Sequence, residues 1–392
     1  MIPVQEAIEV IDKNIIPLEK REKKHVLNSN GHIVFEDIFA PIDMPPFRQS
    51  AMDGYALYLH DEVSYTVIDE VRAGDNRNPD LNKGDAVRIF TGAPVPNSAN
   101  AVIMQEKVTV ENKKIILQKP VSIGDNIRPI GEQVKKGDIA LNKGTRMTPA
   151  AVGYLLSLGI TEIFVFKKPS IAVVVTGNEL VETGNPLTYG KIYESNSGML
   201  ISALNSLGHT DVIIHKVRDD YAQTLSVLEN AIAQHDMVLI TGGISVGDYD
   251  LVGKVLQEIT VEQLFFKVKQ KPGKPFFFGR KNNSIVFGLP GNPAAVLSCF
   301  YVYIYPALQK KSGDINFTLP RTIVKSGSDF IKKSDNAQFL KAILKDGVAT
   351  VLEGQSSAML QTFALANVMV YMPEEQKEIS IGDLVEVIRL PI

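Results

Sequence analysis

The chain has 392 residues, of which 45% are hydrophobic and 22% charged, with a formal net charge of −3. That length exceeds one ordinary core and suggests two to four domains, while the near-balance of charge argues against a broad nucleic-acid or membrane-surface footprint. The single cysteine, Cys299, allows no internal disulfide and no cysteine-based metal cage, which fits a reducing, cytoplasmic compartment.

The opening MIPVQEAIEVIDKN places apolar residues at Val4, Ala7, Ile8 and Ile11 among acids, a helical spacing and not that of a secretory leader. No run of 18 apolar residues occurs, so no spanning helix is expected. This first zone closes near residue 40 at the proline-rich APIDMPPF. From about 45 to 140 short strands are expected at SYTVIDEV, AVRIF, AVIMQEKVTV and KKIIL, punctuated by the turn pairs Gly84-Asp85, Gly124-Asp125 and Gly137-Asp138. Within it, Asp53-Gly54 reads first as a hairpin turn, although PPFRQSAMDGYA could equally form a binding loop, and Thr91-Gly92 follows a strand.

The third zone alternates strands and helices. SIAVVVTG, DVIIHKV, DMVLITG, LFFKVKQ and SIVFGLPG read as strands; NSGMLISALNSLG, YAQTLSVLENAIAQ, YDLVGKVLQEI and PAAVLSCFYVYIYPALQ read as helices. Such alternation predicts an α/β domain, a parallel sheet with helices on both faces. Beyond Ser312 strands return: AQFLKAILKDGVATVLE is a hairpin about Asp346-Gly347, followed by VMVYM and DLVEVIRL, closing the chain with a β-rich barrel or sandwich.

Ligands of an open parallel sheet bind where strand carboxyl ends meet helix amino ends. Three glycine-bearing loops have that placement: TGNEL with Gly177, TGGISVGDYD with Gly242, Gly243, Ser245 and Gly247, and LPGNPAA with Pro290, Gly291, Asn292 and Pro293. Backbone amides there suit a phosphate. Glu179, Asp248 and Asp250 share these loops, and Asp219 and Asp220 end a neighbouring strand. Carboxylates beside a phosphate are compatible when Mg²⁺ lies between them, so Glu179, Asp248 and Asp250 are the candidate metal ligands, with helix capping as the alternative for Asp248. Lys267, Lys269 and Lys271 recur at period two as if on one strand face, and the turn at Pro272-Gly273 brings Lys271 and Lys274 toward the loops as phosphate or oxyanion partners. GISVG matches a serine nucleophile elbow, but no histidine follows Ser245, which excludes the hydrolase order. Neither a Walker A nor a dinucleotide-binding glycine fingerprint occurs.

Taken in order, SAMDGYA, IFTGAPVP, IRPIGEQVKKGD, TGNELVE, GKIYESNS, TGGISVGDYD, KPGKPFFFG, LPGNPAA and GQSSAMLQTFALAN resemble the motifs of the molybdopterin molybdenumtransferase family, the MoeA proteins and the E domain of gephyrin. The resemblance spans nearly the whole chain. It implies an elongated homodimer of four domains: a discontinuous domain I of 1–43 and 137–168, a β-rich domain II of 44–136, an α/β molybdopterin-binding domain III of 169–311, and a β-barrel-like domain IV of 312–392. It implies insertion of molybdenum from molybdate into adenylated molybdopterin, with release of AMP. By position, Asp53 and Thr91 fall on the family's essential pair in domain II. Glu179, Asp219 or Asp220, Asp250, Lys271 and Lys274 fall on its functional acids and lysines, and Pro290 and Pro293 on its PGNP loop. The site is then shared between subunits, and the adenylyltransferase that prepares the substrate is a separate protein. One departure is Asn178, where the family usually has Asp. The alternative functions are a molybdopterin adenylyltransferase, which shares the domain III fold, and a non-catalytic scaffold of the gephyrin type.

Overall fold

The structure, a computed structural model, describes residues 1–244 and 251–391. The chain forms two compact units, one of residues 23–165 and one of residues 1–22 with 166–392. Among the described residues no helix is long and apolar enough to cross a membrane.

The 23–165 unit contains a six-stranded sheet in the order Ala101–Met104, Gly54–Leu57, Asp85–Ile89, Ser64–Val71, Lys114–Leu117, Val108–Glu111. Gly54 opens a strand flanked on both sides, paired with Ile89 and with Met104. A Cβ at Gly54 would lie 1.8 Å from the Ile103 carbonyl oxygen. The glycine therefore serves close backbone approach inside a sheet, and the hairpin turn expected at Asp53-Gly54 is absent. The Gly-Asp pairs do mark turns: the carboxylates of Asp85 and Asp125 accept from the amides of Asn82 (2.9 Å) and Ser122 (2.8 Å), three residues upstream. A second core joins Val26 and Val34 to Met147, Leu155 and Val165, on either side of the sheet in sequence.

The helix at the start ends at Asn14, and its residues Val4, Ala7 and Ile11, with Ile15, pack in one core with Ile171, Leu200 and Phe300. Residues 1–22 thus belong with the 166–392 unit, and the expected segment 1–43 is divided. The central sheet of that unit runs Val212–Val217, Ile171–Thr176, Met237–Thr241, Ser284–Leu289, Phe277–Lys281, Glu262–Phe266. The first four strands run parallel, Phe277–Lys281 runs antiparallel to them, and Glu262–Phe266 pairs antiparallel with Phe277–Lys281. Ile171, Val173 and Val175 face one helical layer, with Leu200 and Val296, while Ala172 and Val174 face the other, with Leu228 and Val255. Period-two alternation within continuously apolar strands therefore builds two cores at once.

The C-terminal strands close into a barrel. Arg321–Ser326, Ala337–Lys345, Val348–Val351, Val368–Met372 and Leu384–Arg389 pair in a ring completed by Ala337–Lys345 against Val368–Met372. The hairpin lies at Asp346-Gly347, with φ of +50° and +78°, the doubly left-handed turn that two-residue hairpins favour. LFFKVKQ departs from the expected single strand. Its strand ends at Phe266, Lys267 has φ +67°, and Gln270–Lys271 joins the barrel beside Ala337–Gln338. Lys267, Lys269 and Lys271 therefore share no strand face.

Candidate active site

The carboxyl ends of Ile171–Thr176 and Met237–Thr241 flank the point where chain order reverses in the sheet, the usual place for a ligand in this architecture. The loops leaving them touch: a Cβ on Gly242, φ +85°, would meet the Thr176 carbonyl oxygen at 2.3 Å, and one on Gly243 the Thr176 hydroxyl at 2.8 Å. Both glycines are needed for this approach whatever binds. Gly177 allows another: its missing side chain is where the Glu179 carboxylate lies, 2.8 Å from the Cβ position.

A cavity of about 550 Å³ opens beside these loops, a size suited to a small-molecule ligand. Glu179, Gly242, Gly243, Lys271, Lys274 and Pro290 line it, together with Gly291 and Asn292. The two lysines are held by a braced turn. Buried Gln270 donates from Nε2 to the Gly273 carbonyl (3.0 Å), and its Oε1 accepts from the Tyr303 hydroxyl. Gly273, φ +85°, could not carry a Cβ without meeting Cys299 Sγ at 2.6 Å. Burial pushes the Cys299 thiol up to about 12, so it is a protonated packing group, not a nucleophile.

The third loop holds itself differently from its sequence pattern. Pro293 begins the helix as expected, and Asn292 takes the N-cap position without a side-chain cap. Its Nδ2 donates instead to the Ser357 hydroxyl (2.9 Å), while the Ala294 amide donates to the Ser357 carbonyl (3.2 Å). The barrel thus supplies part of the wall, Ser334, Asn336 and Ser357, residues that sequence reasoning did not nominate. GQSSAML, singled out as a family signature, held the available signal for Ser357.

Asp219 and Asp220 are not in the cavity lining. Asp219 forms a reciprocal pair with Asn178: the Asn178 amide donates to Asp219 Oδ2 (3.0 Å) and the Asp219 amide to Asn178 Oδ1 (3.2 Å). An Asp at 178 would set two carboxylates side by side here, so the departure from the family pattern removes a repulsion. Asp220 caps the helix Tyr221–Gln234, accepting from the Gln223 amide at 2.8 Å. Ser245, Gly247, Asp248 and Asp250 lie outside the described residues. Among the described residues no group of three or more His, Cys, Asp or Glu side chains could hold a metal ion. Glu179 alone of the expected metal ligands faces the cavity there; Mg²⁺ commonly uses one or two carboxylates plus phosphate oxygens, and the residues fit that donor set.

In the 23–165 unit Asp53 and Thr91 are brought together. Asp53 Oδ1 accepts from both the amide and the hydroxyl of Thr91, each at 2.7 Å. These bonds, with a smaller contribution from the Arg88 charge, hold the exposed Asp53 carboxyl below its ordinary range. Arg88, not foreseen from the sequence, donates to the Gly54 carbonyl (3.3 Å) and lies over the Tyr55 and Phe90 rings.

The sheet, its switch-point loops and the lysine-bearing cavity define an α/β domain with a small-molecule-sized cleft, extended by a β barrel. Three family profiles match in succession: MoeA N-terminal region (domain I and II) over residues 2–159, probable molybdopterin binding domain over 172–310, and MoeA C-terminal region (domain IV) over 324–390. The chain belongs to the MoeA family. It is 34% identical over 402 residues to the molybdopterin molybdenumtransferase of Staphylococcus epidermidis, covering 99% of this chain and 95% of that one. The Staphylococcus aureus molybdopterin molybdenumtransferase is likewise 34% identical, over 403 residues with the same coverage. The crystal structure of the molybdopterin biosynthesis MoeA protein from Pyrococcus horikoshii superposes with a TM-score of 0.87 at 32% identity and full coverage of both chains.

Proposed function

We propose that this chain is a molybdopterin molybdenumtransferase, which inserts molybdenum from molybdate into adenylated molybdopterin and releases AMP. The observation that carries the reading is the convergence of Lys271, Lys274 and Glu179 on one cavity at the sheet's switch point, in a chain that matches the family from end to end. The lysines bind the phosphoanhydride of the adenylated substrate and stabilise its charge as AMP departs. The braced turn at Gln270 orients them, and Ser357, Ser334 and Asn336 close the cavity from the barrel side. Asp53, fixed by Thr91, positions molybdate or the dithiolene end of the pterin. Magnesium, held by Glu179 with Asp248 and Asp250, would neutralise phosphate charge when bound.

The flanking β-rich regions disfavour the adenylyltransferase reading, because the family matches extend over both. The remaining parts of the proposal are a homodimer whose site takes Asp53 from one copy and the Asp250 loop from the other, a separate adenylyltransferase partner, and a cytosolic location, which the single buried thiol suits. Mixing the purified chain with adenylated molybdopterin and molybdate should release AMP and yield molybdenum cofactor. Asp250→Asn should abolish release with the fold intact. Binding of adenylated molybdopterin without AMP release by the wild type would favour a scaffold.

A further inference from the structure

The loop that follows Glu179 is built as a strap at the edge of the cavity. Its stem is Leu180–Val181 paired in parallel with Ile192–Tyr193, and the Ile192 amide donates to the Glu179 carbonyl (3.0 Å). Glu179 lines the cavity. Just beyond the stem, Asn196 donates from Nδ2 to the carbonyl of Gly291 (2.9 Å), a residue of the same lining. Both feet of the strap therefore stand on the cavity wall. Lys191 draws them together by donating from Nζ to the Asn178 carbonyl, and the Tyr193 hydroxyl donates to the Asn185 carbonyl (3.0 Å) across the loop. Residues 182–191 thus have the closed form of an Ω-loop, ends together and cross-braced, a type that frequently serves function.

The strap is also apolar where a surface loop would be polar. Leu187, Tyr189, Ile192 and Tyr193 are all exposed, and Tyr189 fully so. Single exposed apolar side chains are ordinary, but a cluster of them beside a ligand-sized cavity marks a contact surface. Glycines bound the tip: Gly184 and Gly190 have φ of +99° and +79°, and a Cβ at either would meet nothing within 4 Å. They serve backbone conformation and not packing, as hinge positions do, and the tip between them is free to turn. We propose that residues 182–191 are a lid: on ligand binding the tip folds over the cavity and Tyr189 lies against a planar heterocyclic ring of the ligand. With phosphate on Lys271 and Lys274, the ligand class is a phosphorylated compound that carries such a ring. Adenylated molybdopterin has two, adenine and pterin. This inference rests on the reading of the cavity as the site of the adenylated substrate.

The chain contains no tryptophan, so Tyr189→Trp in the full chain places a single fluorescent reporter at the tip. AMP, a pterin monophosphate and inorganic pyrophosphate are titrated in turn. At least one of the two ring-bearing ligands should shift the emission to the blue or quench it, and should slow amide exchange over residues 182–191. By calorimetry, Tyr189→Ala should weaken that ligand about tenfold, the scale of stacking between a base and an aromatic side chain, with Tyr189→Phe within about twofold of wild type. Pyrophosphate, which has no ring, should bind wild type, Tyr189→Ala and Tyr189→Phe alike. Because Tyr189 is fully exposed, these variants keep the fold. Unchanged emission and affinity while the ring-bearing ligands bind would overturn the lid. So would an equal loss for pyrophosphate in Tyr189→Ala, which would mean a disturbed cavity wall. Emission already blue-shifted without ligand, and dependent on protein concentration, would mean that a second copy covers the tip, and the lid falls with it. A wild type that binds none of the three ligands removes the reading of the cavity itself, and the lid along with it.

Discussion

Thr91 directs both its amide and its hydroxyl at one oxygen of Asp53, and that pair of hydrogen bonds sets the direction in which this carboxyl titrates. The folded-state pKa is lowered, so the stability from these bonds is present above the ordinary carboxylate pKa and is lost as pH falls through the lowered value. A carbon-detected titration should find the Asp53 midpoint below 3.8, and Thr91→Ala should move it upward; a wild-type midpoint at or above 3.8 contradicts the geometry. At the cavity, Lys271→Ala and Lys274→Ala should each weaken the phosphorylated ligand by about 1.5–3 kcal/mol, the range for charge-assisted hydrogen bonds. Lys267→Ala should change little, since its ammonium lies over the Phe266 ring, 5.0 Å from the centroid, and Lys267 is not in the cavity lining. Equal losses at all three, read by calorimetry, would mean diffuse electrostatics and no defined site. The lysines were legible because Pro272-Gly273 marks a turn between Lys271 and Lys274, and Glu179 because it follows a buried strand by a short glycine loop. Ser334, Asn336 and Ser357 were not, because a non-local pairing of Gln270–Lys271 with Ala337–Gln338 brings the barrel to the cavity, and nothing in the local sequence announces it.

The pair Asp219 and Asp220 shows how two adjacent acids divide between elements. Asp220 ends the approach to the helix Tyr221–Gln234 and satisfies the Gln223 amide, so Asp220→Ala should cost about 1 kcal/mol in thermal or denaturant unfolding while leaving AMP release nearly intact. Asp219 holds the loop of Asn178 and Glu179, and Asp219→Ala should reduce AMP release with little change in unfolding. The reverse pattern would exchange their roles. That helix was legible residue for residue, because its cap, its apolar spacing and its polar end agree. LFFKVKQ was not: its alternation suggested one strand, but the chain leaves one sheet after Phe266 and joins another at Gln270, and only tertiary pairing fixes that break. Asn292 shows the same limit, since a residue chemically suited to cap a helix found the Ser357 hydroxyl instead.

For the molecule as a whole, the packing of residues 1–22 with the 166–392 unit is directly testable. Ile11→Ala removes a side chain that is 4% exposed and should destabilise that unit by about 2–5 kcal/mol. Hydrogen exchange should then show lost protection in Ile171–Thr176 but not in Gly54–Leu57; loss in both strands would mean that the chain unfolds as one body. The proposed homodimer has its own test. Inactive Asp53→Ala and Asp250→Ala chains allowed to exchange subunits should recover roughly a quarter of wild-type activity, because half the dimers are mixed and each has one intact site of two. A mixture shown to exchange that stays dead would place the whole site within one copy. The helix Val4–Asn14 also bears on how the chain is made. It leaves the ribosome long before Ile171, Leu200 and Phe300, the residues that will cover it. The 23–165 unit owns the partners of its own cores and can close while synthesis continues. Until Ile171, Leu200 and Phe300 are translated, Val4, Ala7 and Ile11 lack the side chains that cover them in the folded chain, so the first helix is among the last elements to find its place.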